Sequence, residues 1–187
     1  MENRNDISSH FNLGSDDKGL RIGHWNLNRL SSEKFDQIKL FLIGKFGRAQ
    51  VDIFFLTETL LKPDIPDVVY AVPGFSIYQH DRVSRYGGGV LVFVNEQLKL
   101  KRQDDSENLD LEVIWLEVFP IKSKRSLFIS GIYRPPWYSL ADDIRLEKNI
   151  EQAYLLNKEP TYSNYSHRIQ NIVYPVIGLA HLPYIPT

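Results

Sequence analysis

Two apolar runs in the first third of the chain each stop on a residue that can offer oxygen to a hard cation. Leu20 to Leu30 reads LRIGHWNLNRL and delivers Asn26, and Val51 to Thr59 reads VDIFFLTET and delivers Glu58. An amide or carboxylate at the end of a buried strand is how an α/β protein presents hard ligands at a sheet edge, where Mg²⁺ can be held. Tyr133 closes SLFISGIY just before Arg134-Pro135-Pro136, and the double proline fixes an extended exit that holds the phenol at the rim. In DRVSRYGGGVLVFV, Asp81 to Val94, Gly87 to Gly89 permit close backbone approach and positive φ, while Arg82 and Arg85 can meet a nucleic-acid backbone. A plain hairpin loop carrying solvated arginines fits the same letters. Lys99, Lys101 and Arg102, like Lys122, Lys124 and Arg125, read as solvated strand ends or turns.

The elements that must position these residues follow from apolar periodicity. Leu20 to Asn26 reads as a strand. Ser31 and Ser32 followed by Phe35, Ile38, Leu42 and Ile43 read as a capped amphipathic helix ending around Gly44 to Gly47, and Val51 to Thr57 closes a βαβ unit. That second strand is apolar on both faces, the pattern of a central strand covered on either side. After Pro63, Pro66 and Pro73, short strands recur at Phe75 to His80, Gly89 to Val94, Leu111 to Phe119 and Ser126 to Tyr133, which predicts a mixed sheet. Leu140 to Leu156 has the spacing of an amphipathic helix that covers a sheet. Trp25 and Trp115 read as core, and His80 as a residue without chemistry.

Composition bounds the classes. The chain has 187 residues, 43% of them hydrophobic, enough for one domain with a real core. A net charge of −1, from 22 basic and 23 acidic side chains, announces no polyanionic partner and excludes none. Without cysteine there is neither a disulfide framework nor a thiolate zinc site. Residues 1–19 are polar and read as a flexible lead rather than a secretory signal, and no apolar stretch approaches the roughly 20 residues of a membrane span. The expectation is an intracellular protein, in nucleus or cytoplasm, that meets neither membrane nor small-molecule cofactor.

Taken in order, LRIGHWNLNRL, LTET, DRVSRYGGGVLVFV, LEVIWLEV and GIYRPP resemble the endonuclease/exonuclease/phosphatase superfamily, and more narrowly the apurinic-type endonuclease domain of non-LTR retrotransposons. The resemblance covers residues 20–158. It implies an α/β fold, a four-layer α/β/β/α sandwich in which two mixed sheets face each other beneath outer helices. It also implies DNA as partner and a Mg²⁺ site, with Mn²⁺ as an alternative occupant, where strand ends and loops converge. By resemblance Glu58 is the metal ligand, Asn26 orients the metal-bound phosphate or its carboxylate partners, and Tyr133 contacts the scissile phosphate.

Two later motifs of the superfamily have no counterpart here, an Asp-x-Asn strand end and a closing Asp-His that activates water. The last aspartate is Asp143, and the only histidines after it are His167 and His181. Residues 159–187 form a Tyr- and Pro-rich tail that matches nothing in the superfamily and shows neither acidity nor strand alternation. The expectation is a domain truncated before its water-activating motifs and inactive. The alternative is a non-catalytic nucleic-acid- or protein-binding remnant, or the unstable product of a broken element copy.

Overall fold

The computed structural model describes residues 19–44, 51–62, 64–82, 88–108, 110–119 and 126–156, and the backbone of 172–179. Its first half builds one sheet from β1 (Ile22–Asn26), β2 (Ile53–Thr57), β3 (Phe75–His80) and β4 (Val90–Asn95), in the order β1-β2-β4-β3. Helix α1 (Ser32–Ile43) carries the chain from β1 to its parallel neighbour β2. The second half builds another sheet from β5 (Lys99–Arg102), β6 (Glu112–Phe119), β7 (Leu127–Arg134) and β8 (Ile172–Leu179), in the order β5-β6-β7-β8, with α2 (Leu140–Leu156) between β7 and β8.

Helix α1 begins where the sequence places its cap. The Ser31 hydroxyl accepts the Lys34 amide at 3.3 Å, and the helix ends at Gly44, whose φ of +68° a residue with a Cβ tolerates poorly. Ile38, Phe41 and Leu42, spaced three and four apart, are its buried stripe.

Alternation along the strands produces four layers. In β2 and β4, Phe54, Leu56, Leu91 and Phe93 face α1, while Ile53, Phe55, Val90, Val92 and Val94 face the second sheet. The opposing inner face comes from Ile114, Leu116, Val118, Ile129 and Tyr133. The outer face of β6 and β7, with Val113, Trp115, Phe128 and Ile132, takes Leu146 and Ala153 of α2. Trp115, wholly buried, donates its indole N–H to Asn149 Oδ1 at 3.0 Å, and Asn149 in turn donates to the Ser106 carbonyl, which fastens α2 to the sheet. The two sheets approach closely at Gly131, where a Cβ would come within 2.8 Å of Phe55 Cε1.

Two strands were not foreseen. β5 is a short edge strand whose alternating Lys and Arg hide it among turn-like residues. β8 lies in the tail and pairs parallel with β7, Leu127 opposite Ile172 through Arg134 opposite Leu179. Its run IVYPVIGL is apolar at consecutive positions and contains Pro175, so it lacks the alternation by which a half-buried strand is recognised.

Candidate active site

The site lies at one rim of the sandwich, where β2 of the first sheet and β7 of the second end. The carboxyl end of β2 is held from both sides. Leu27, Arg29 and Leu30 donate backbone N–H groups to the carbonyls of Thr57, Glu58 and Thr59 at 2.7 to 2.9 Å, while Leu60 donates to Gly88 at 2.9 Å and Thr59 to Gly89 at 3.4 Å. Such pairing continues the β1-β2-β4 ladder past the strands proper and forces unusual backbone: φ is +54° at Glu58 and Leu60, +44° at Asn28 and +88° at Arg29. Left-handed conformations at non-glycine residues cost energy and gather at functional sites, where the surroundings enforce them. The Lys34 ammonium helps to enforce them here, donating to the carbonyls of Leu27 and Arg29.

Glu58, turned out of the ladder by this backbone, meets the end of β7. The Tyr133 hydroxyl donates to Glu58 Oε1 at 2.5 Å, joining two residues 75 positions apart across the two sheets. Tyr133 is 2% exposed. Burial, followed by the bond to the Glu58 carboxylate, pushes its phenol far above its ordinary pKa, so it remains a proton donor at any working pH.

Asn26 ends β1 opposite Thr57 of β2, and its Oδ1 accepts the Asn28 amide at 3.2 Å, a local turn bond that fixes the amide at the same rim. His24 Nε2 and Thr57 Oγ1 lie 3.1 Å apart beside it, and burial lowers the imidazole pKa. The structure therefore brings Asn26, Glu58 and Tyr133 to one edge of the sandwich. Arg82 lies there too, largely buried, its guanidinium paired with Glu112 and stacked 5.1 Å from the Trp137 ring centre. Arg85 falls outside the described residues.

Glu112 is a residue that the sequence reading passed over. It opens β6 directly opposite Tyr133, is 5% exposed, and accepts the Gly89 N–H as well as binding Arg82. The signal was available: in LEVIWLEV it falls in phase with Ile114, Leu116 and Val118, on the face that must be buried. Gly88 is required at its side, since φ is +87° and a Cβ would lie 2.8 Å from Arg82 Cζ. Asp81 was also passed over. Both of its carboxylate oxygens are buried without a hydrogen-bond partner, and burial raises its pKa.

A divalent ion at this rim fits the donors present. Glu58 is one partly exposed carboxylate beside a strand-end amide, which suits Mg²⁺ because that ion uses few protein oxygens and retains waters. Among the described residues no three His, Cys, Asp or Glu side chains group so as to hold a metal ion.

Two mixed four-stranded sheets face to face with a helix outside each define a four-layer α/β sandwich, the endonuclease/exonuclease/phosphatase-type fold. Among solved structures the chain is similar to the endonuclease domain of TRAS1, a telomere-specific non-LTR retrotransposon, at 11% identity and TM-score 0.53 over 72% of this chain. It is likewise similar to the AP endonuclease LMAP from Leishmania major, at 16% identity and TM-score 0.57 over 83% of this chain. In each case it spans about half of the other protein, 54%. At these identities the likeness establishes the fold. No protein-family model matches the chain, and no curated protein matches it by sequence. Among the described residues no helix is long and apolar enough to cross a membrane.

Proposed function

We propose that this chain is the metal- and phosphate-binding part of a retrotransposon-derived, Mg²⁺-dependent DNA endonuclease domain, and that these 187 residues alone do not turn over. The observation that carries the reading is the 2.5 Å hydrogen bond between Tyr133 and Glu58, which unites the chemistry-bearing ends of the two sheets. The two similar structures, both named as endonucleases, support the choice of reaction class.

Glu58 would hold the ion, Tyr133 would orient Glu58 until its single O–H turns to a phosphate oxygen, and the Asn26 amide would fix the phosphate beside them. Bound Mg²⁺ supplies charge stabilisation on a phosphodiester under attack. Among the described residues the end of the second sheet offers no base for the water. β8 ends beside Tyr133 and Arg134 with Gly178 and Leu179, neither of which can accept a proton. General-base assistance is worth about 10²–10⁴-fold, and donors aimed at the developing charge contribute further, so its loss leaves negligible turnover.

Two measurements on the 187-residue chain test the proposal: Mn²⁺ binding, and Mg²⁺-dependent nicking of supercoiled plasmid with EDTA and Glu58→Ala controls. The expected result is Mn²⁺ binding lost in Glu58→Ala, with no nicking. Nicking abolished by both controls would refute the inactive part of the proposal. A folded protein whose Mn²⁺ binding is indifferent to Glu58→Ala would refute the nuclease reading and leave a non-catalytic binding module.

A further inference from the structure

We infer that Trp137 is a stacking platform for an unpaired nucleobase at the rim of the candidate site, an inference that rests on the nuclease reading above. Trp137 is a large aromatic residue 48% exposed, whereas Trp115 is fully buried and Trp25 packs against the first core. A single exposed apolar residue needs no explanation in itself. What distinguishes this one is how firmly it is held and what stands beside it.

The loop that carries it is tied on both sides. Pro135 and Pro136 restrict the backbone before it, and the Tyr138 amide donates to the Pro135 carbonyl at 3.3 Å. Arg134 grips Asp143 of α2 through two bonds of 2.7 and 2.8 Å, and the Ser139 hydroxyl and amide both donate to Asp142. Tyr138 packs against the core between α2 and its sheet. The indole therefore loses little freedom when something stacks on it, which favours affinity. Beneath it lies the Arg82 guanidinium, itself held by buried Glu112. Glu112, which holds Arg82, stands opposite Tyr133 in the β6–β7 register, so indole, guanidinium and the Tyr133–Glu58 pair share one rim.

The kind of partner follows from charge. Among the described residues, Arg82 is neutralised by Glu112, Arg134 by Asp143, and Arg145 by Asp142 and Asp110. Such a rim attracts the phosphate envelope of a duplex weakly. It offers instead a π-face, which any unpaired base can use and which a stacked, paired base cannot reach.

The test is binding of a short single-stranded oligothymidylate and of a blunt duplex in EDTA, followed by fluorescence anisotropy and by tryptophan emission. The wild-type chain is expected to bind the single strand more tightly than the duplex, with emission quenched. Trp137→Ala is expected to weaken the single strand roughly 5- to 100-fold while the chain stays cooperatively folded with a slightly lower melting temperature from the lost Arg82 contact, and Trp137→Phe to retain most of the affinity. Equal affinity in wild type and Trp137→Ala, or no binding of the single strand by wild type, would overturn the inference. The nuclease reading fails separately, if Glu58→Ala binds Mn²⁺ as tightly as wild type, whatever the oligonucleotide does.

Discussion

The two strands that flank Tyr133 in its sheet make opposite contributions to the rim. On the β6 side stands Glu112, a buried carboxylate that binds Arg82, accepts the Gly89 amide and so reaches into the loop whose carbonyls hold Thr59 and Leu60. On the β8 side stand Gly178 and Leu179. The first flank ties the two sheets together where Glu58 must be presented. The second adds backbone pairing and no functional group. Among the described residues, polar construction at this rim thus lies on the β6 flank and across to the loop before β4, while the β8 flank contributes backbone alone.

Breaking the polar flank should have the largest effect. Glu112→Leu leaves the Arg82 guanidinium buried without its counter-charge, which costs about 3–5 kcal/mol when one partner of a buried pair is removed. The drop should appear in the urea unfolding midpoint, and an unchanged midpoint would mean that the ion pair does not hold the rim. Glu112→Gln keeps an acceptor for the Gly89 amide and is expected to fall between. A smaller loss, about 1.5 kcal/mol, is expected for Tyr133→Phe, which deletes one hydrogen bond to a carboxylate and leaves the aromatic packing. Because Glu112 and Tyr133 are cross-strand neighbours, the double variant should depart from additivity, and a double-mutant cycle measures the departure.

Asp81, beside Gly89 on the same polar flank, is expected to act in the other direction. Burial raises its folded-state pKa above 3.8, so the native state holds the proton more tightly than the unfolded chain does. Its contribution to stability is therefore greatest below pH 3.8 and is lost as pH rises through the folded-state value. Asp81→Asn should raise the melting temperature at neutral pH, with the gain fading towards pH 3.8. A gain that does not change with pH would show that the Asp81 pKa is the same in the folded and unfolded states.

Much of this molecule was legible in its letters because the strands alternate and the helices are capped. α2 begins and ends at Leu140 and Leu156 as read, and β3 spans Phe75 to His80 as read; β1, β2, β4, β6 and β7 differ by one or two residues at their ends. The four layers were implied by the resemblance, while the residues themselves showed only that Ile53 to Leu56, apolar on both faces, needs cover on both. What escaped was decided at a distance. Glu112 was recognisable only by its phase within β6, and its partners Arg82 and Gly89 come from another sheet's connection. β8 escaped because a parallel strand containing a proline carries no alternation. Trp137 escaped because nothing local distinguishes an exposed indole held by a guanidinium from one that is simply buried.

Each sheet is drawn from one contiguous stretch of chain, the first complete at Asn95 and the second only begun at Lys99. During synthesis, at about 5–20 residues per second, the inner face of the first sheet therefore waits several seconds for β6 and β7 to emerge. Until then Ile53, Phe55, Val90, Val92 and Val94 have no partner layer. The nascent chain is most vulnerable to chaperone capture or misassociation in that interval, and faster translation through residues 96–134 would shorten it.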